Sequence, residues 1–104
     1  MDMHLIQLLL PLYTNEKQSF PAEYYSFIKK ELTEKFGGLT AYTRSPATGL
    51  WKETHDKTIK DDIVIYEVMC QNIDTKWWKV YKNKLEKTFM QEEIIIRASE
   101  IELL

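Results

Sequence analysis

The run His4-Leu5-Ile6-Gln7-Leu8-Leu9-Leu10-Pro11-Leu12 is apolar on both of its alternating sets. A strand that reads this way is covered on both faces, so it belongs in the middle of a sheet. A second run, Ile63-Val64-Ile65-Tyr66-Glu67-Val68-Met69-Cys70, is rich in β-branched residues and is the strongest strand signal in the chain. With 104 residues there is room for one core. Residues 1–104 therefore form a single domain, and the rest of the sequence must supply edge strands and a covering layer.

That layer is helical. Pro21 suits a first helical turn, and Tyr24, Phe27, Ile28, Leu32 and Phe36 recur at helical spacing. Gly37-Gly38 supplies a left-handed stop, so the first helix spans residues 21–36. Asp74 is a good N-cap. Trp77, Trp78, Tyr81, Leu85 and Phe89 then follow one face, which gives a second helix over residues 75–90. Residues 39–44 read as a short strand and Ser45-Pro46-Ala47-Thr48-Gly49 as a turn-rich break. Residues 50–53 and 57–60 read as two arms of a hairpin turning at Thr54-His55-Asp56. The last strand lies within residues 93–104, centred on Ile94-Ile95-Ile96.

The order β-α-β-β-α-β specifies an α+β, ferredoxin-like fold. It has a four-stranded antiparallel sheet in the order 4-1-3-2, with both helices on one face. Sorting strand residues by parity assigns Ile6, Leu8, Leu10, Val64, Tyr66, Val68, Ile94, Ile96 and Ala98 to the helix-covered face. The opposite face takes Leu5, Gln7, Leu9, Pro11, Tyr13, Ile63, Ile65, Glu67, Met69, Ile95, Arg97 and Ser99. A solvated face should alternate to polar; this one is mostly apolar. Four strands at ~4.8 Å spacing and about seven residues at ~3.3 Å rise span on the order of 440 Å². The Trp51 hairpin adds to that area, and a stable interface needs about 800 Å² per partner. A second copy packed sheet against sheet is expected, most simply about a two-fold axis.

Gln7, Glu67 and Arg97 are the polar residues within this apolar face, and in the order 4-1-3-2 they fall in one row across three strands. They can serve as a structural ion pair that fixes register or dimer geometry, or as the polar lining of a ligand cavity. The long connection from Arg44 to Asp61 is either a dimer arm anchored by Trp51 or a lid. As a lid it brings Tyr42, Arg44 and Trp51 to the mouth of a site for an anionic or aromatic ligand. The candidate ligand-binding set is thus Gln7, Tyr42, Arg44, Trp51, Glu67 and Arg97. Should the chain be an enzyme, Glu67 is the candidate catalytic base, with Arg97 or Arg44 holding an oxyanion. A purely structural interaction module is the third reading.

Other signals point away from whole classes of function. The net charge of −2 argues against a duplex-binding protein, and no basic-aromatic strand motif of the RNA-binding kind is present. The longest apolar run, Leu8 to Leu12, is far below the roughly 20 residues of a membrane span. Asp2 stands where a signal peptide would carry basic residues. Cys70 is the only cysteine, which fits a reducing, cytoplasmic setting and excludes an intrachain disulfide. Cys70 reads as a small hydrophobe. His4 and His55 have no metal-ligand spacing, and no motif calls for a metal or cofactor. The Trp77-Trp78 pair reads as core. Lys76, Lys79, Lys82, Lys84 and Lys87 make the second helix basic outside, either as a solvated face or as a contact for an acidic partner.

The segments FGGLTAYTRSPATGLW (residues 36–51), DDIVIYEVM (61–69) and QEEIIIRA (91–98) resemble a family of uncharacterised short bacterial proteins. The resemblance runs over nearly the whole chain. It implies a bacterial, ferredoxin-like homodimer and transfers no catalytic residue. More distantly, the architecture is similar to the dimeric α/β-barrel group, which includes cofactor-independent antibiotic-biosynthesis-type monooxygenases and muconolactone-isomerase-like enzymes. That likeness implies two facing sheets. It also frames the alternative of a small cofactor-independent monooxygenase- or isomerase-like enzyme. No Asn-Trp-His constellation of the monooxygenase type is matched here.

Overall fold

A computed structural model describes residues 3–47, 52–53, 57–58 and 61–104, with side chains given outside residues 43–62. The elements follow in the order β1 (Met3–Pro11), α1 (Ala22–Phe36), β2 (Thr40–Ala47), β3 (Lys52–Glu53), β4 (Lys57–Thr58), β5 (Asp61–Cys70), α2 (Thr75–Thr88) and β6 (Ile96–Ile101). The main sheet is antiparallel in the order β2-β5-β1-β6. This is the expected ferredoxin-like arrangement, with the doubly apolar β1 and the β-branched β5 at its centre. The β3–β4 hairpin also forms, pairing Lys52 with Thr58 and Glu53 with Lys57. Its turn, Thr54-His55-Asp56, lies outside the described residues.

Parity decides the core. On the helix side Ile6, Leu8, Leu10, Val64, Tyr66 and Val68 are buried, packed with Ile28 and Leu32 of α1 and Trp78, Tyr81 and Leu85 of α2. Burying each such side chain contributes roughly 1.5–3 kcal/mol. Burial also pushes the Tyr66 phenol up to about 12. The Trp77-Trp78 pair is packing surface, as expected. Trp78 stacks on Phe36 with centroids 5.4 Å apart, and Trp77 stacks on Tyr81 at 4.7 Å. Both helix starts follow the sequence signals. Pro21 occupies the N-cap of α1, and the Asp74 side chain accepts from the Trp77 N–H at the start of α2. Gly37, at φ 80°, ends α1 in the left-handed conformation that a Cβ would strain.

Four details depart from the sequence reading. First, β2 continues through Ser45-Pro46 to Ala47, where a turn-rich break was expected; its register shifts between Arg44 and Ala47. A bulge lets an edge strand carry a proline without an unmet ladder bond. Second, β6 starts at Ile96, later than the Ile94-Ile95-Ile96 centre suggested. The Ile94 N–H donates to Glu86 Oε2 at 3.0 Å instead of to a ladder, while the Ile95 carbonyl still accepts from Leu9. Third, Ala98 is exposed, because the helical layer does not reach that part of the edge strand. Fourth, Phe27 is 54% exposed. One position away from Ile28, it is turned about 100° off the buried stripe.

Candidate functional site

The open face of the sheet is built by the residues between those of the core. Leu5, Leu9, Pro11, Ile63 and Ile65 are half-buried, and Tyr42, Met69 and Ile95 are 45%, 49% and 45% exposed. The ladder registers assemble them into rows. One row runs Tyr42, Ile65, Leu9, with Ile95 joined through its carbonyl, and another runs Met69, Leu5, Ser99.

Between these two apolar rows lies the polar one. β1 pairs Gln7 with Glu67 on one side and with Arg97 on the other. Gln7 Nε2 donates to Glu67 Oε1 at 2.6 Å, and Arg97 Nε donates to Gln7 Oε1 at 2.8 Å. A carboxylate only accepts and a guanidinium only donates, so the two charges fix the Gln7 amide one way round. Glu67 and Arg97 sit two strand spacings apart, roughly 10 Å, and communicate through Gln7 rather than by a direct ion pair. Glu67 Oε2 and both Nη groups of Arg97 have no protein partner among the described residues.

The row is wetter than a buried pair. Glu67 and Gln7 are half-buried and Arg97 is exposed. In a single chain, removing Arg97 therefore costs far less than the several kcal/mol of a fully desolvated ion pair; exposed pairs are worth about 0–1 kcal/mol.

Of the six expected ligand-binding residues, Gln7, Glu67 and Arg97 come together directly. Tyr42 pairs with Ile65, one step along the open face from Glu67. Arg44 pairs with Ile63 in β2, but its side chain and the whole of Trp51 lie outside the described residues. Thr40 pairs with Glu67 and extends the row to the fourth strand. Sequence reasoning passed over Thr40, although it shares parity with Tyr42; nothing in the sequence fixed the register of β2 against β5.

The remaining candidates fall elsewhere. His4 Nδ1 lies 2.8 Å from the Gln71 carbonyl oxygen. Cys70 is half-buried, and burial pushes its thiol up, away from the reactive thiolate. No group of three His, Cys, Asp or Glu side chains among the described residues could hold a metal ion, and no helix there is long and apolar enough to cross a membrane. A cavity of about 280 Å³ opens between the helices, lined by Tyr24, Phe27, Ile28, Glu31, Lys84 and Leu85. It touches no member of the polar row. Lys84, exposed at its rim, pairs with Glu31 at 3.0 Å.

No family model and no curated protein matches the chain. Among solved structures, it is similar in fold to a phage SAM lyase in complex with S-methyl-5'-thioadenosine. The match covers 94% of this chain and 81% of that one, at a TM-score of 0.59 and 11% identity. At that identity the likeness speaks for the ferredoxin-like architecture and for nothing finer.

Proposed function

We propose that the protein is a homodimer that binds a small anionic or aromatic organic molecule beside its open sheet face, at the Glu67–Gln7–Arg97 row. The observation that carries this reading is a polar row with unused bonding groups, set between apolar rows. The Nη groups of Arg97, without a partner among the described residues, form a fork suited to a carboxylate or phosphate oxygen, and Leu5, Leu9, Ile65 and Tyr42 offer apolar surface to a ring. One chain has little volume to spare for a ligand, so a site shared between two copies suits the size of the domain. The similar fold that holds S-methyl-5'-thioadenosine makes purine nucleosides a reasonable first aromatic probe.

The test is titration with 5'-methylthioadenosine and with an aromatic carboxylate, read by tryptophan fluorescence and melting temperature. A ligand at 100 times its Kd raises stability by about 2.7 kcal/mol, a shift of several degrees in a domain this size. Arg97→Gln is expected to weaken the carboxylate at least tenfold. Unchanged fluorescence and melting with both probes would overturn the reading. A second reading, a small enzyme with Glu67 as proton acceptor, draws on the unpartnered Oε2 of that residue. It requires turnover that Glu67→Gln abolishes while leaving binding in place.

A further inference from the structure

The polar row has a direction: carboxylate on β5, amide on β1, guanidinium on β6. Resting on the homodimer reading above, we infer that the second copy packs with its two-fold axis running along β1 through Gln7. In that arrangement Arg97 of each chain meets the partner's Glu67.

Two sheets stacked face to face can be related by an in-plane two-fold axis in three broad orientations. An axis across the strands lays Arg97 on the partner's Arg97 and Glu67 on the partner's Glu67, two like-charge contacts inside an interface. A diagonal axis sets the strands at right angles and lays each charge on the partner's Leu5 or Leu9, where it is desolvated with no counter-charge. An axis along β1 reverses the row left to right while keeping its level. Arg97, one strand spacing (about 4.8 Å) to one side of β1, then faces the partner's Glu67, one spacing to the other side of the partner's own β1.

The same operation keeps the flanking rows at their own levels, so Ile65 meets the partner's Ile95 and Leu9 meets the partner's Leu9, while Tyr42 on β2 reaches past the partner's β6 edge. It also employs Glu67 Oε2 and the Nη groups of Arg97, which have no partner among the described residues. Two Nη groups leave one for the partner's carboxylate and one for a ligand's. The apolar rows alone span less than a stable dimer needs, which gives the two charge pairs the deciding part in orientation.

The experiment is charge reversal read by sedimentation velocity from 10 to 200 µM. Wild type is expected to dimerise. Glu67→Arg and Arg97→Glu each place like charges in contact and should raise the dimer Kd at least tenfold. A one-to-one mixture of the two variants should dimerise again, since one chain then offers two carboxylates and the other two guanidiniums. Circular dichroism melts within a few degrees of wild type verify folding. Should a reversed chain not fold, Arg97→Gln, which can still donate to Gln7, is expected to raise the Kd severalfold. A wild-type dimer that no substitution weakens overturns this axis and leaves the homodimer standing. A monomeric wild type at 200 µM overturns both.

Discussion

One sheet carries two largely apolar faces, and helices cover only one of them. On the helix side Leu8 is fully buried; one residue along, Leu9 points the other way and stays half-buried. The covered face is closed by two helices and contains no buried polar side chain among the described residues. The open face holds a wired polar row, with Arg97 at the solvent edge. Unequal covering of two largely apolar faces separates what the single chain buries on folding from what it leaves at its surface.

The comparison can be broken by paired truncations. Leu8→Ala should cost about 2–5 kcal/mol, because the surrounding core cannot collapse around the lost side chain. Leu9→Ala should cost under about 1 kcal/mol in dilute solution and instead weaken self-association. Chemical denaturation of both variants, each below and above the association range, checks the split. Equal costs at low concentration would mean that the open face is already part of the core.

A smaller effect is expected in the row. Gln7→Leu removes both bridging bonds while keeping the volume, and should destabilise the dilute chain by about 1 kcal/mol, since both charges can turn to water. The loss should grow with protein concentration if the row is enclosed in an assembly. Denaturation midpoints at two concentrations decide it.

The smallest concerns the seam between α2 and β6. The bond from Lys82, and after it the Ile94 N–H, hold the Glu86 carboxyl below its usual range. A carboxylate lowered on folding contributes stability above its unfolded pKa, and that contribution is lost as pH falls through the folded value. Melting curves from pH 7 to pH 3 should therefore show wild type and Glu86→Gln converging as the pH drops. Parallel curves would mean that the ion pair adds nothing.

Much of this was legible in the residues. The doubly apolar β1, the β-branched β5, the helical spacing of the aromatics and the Gly37 stop fix six main elements and their order. The polar row was legible as well, since parity and strand order place Gln7 between Glu67 and Arg97. Element ends were less so: the late start of β6 depends on Glu86 capturing the Ile94 N–H, a contact across eight residues.

Local pattern, then, determined which side of each strand is apolar, because side-chain direction alternates with period two whatever the chain packs against. Only the tertiary structure decided how far each residue is covered. Ala98 and Phe27 are apolar by pattern yet exposed, because burial depends on whether another element reaches them. Nor could pattern decide how wet each member of the polar row is: Arg97, on the edge strand β6, is exposed, while Gln7 and Glu67, on the two central strands, are half-buried.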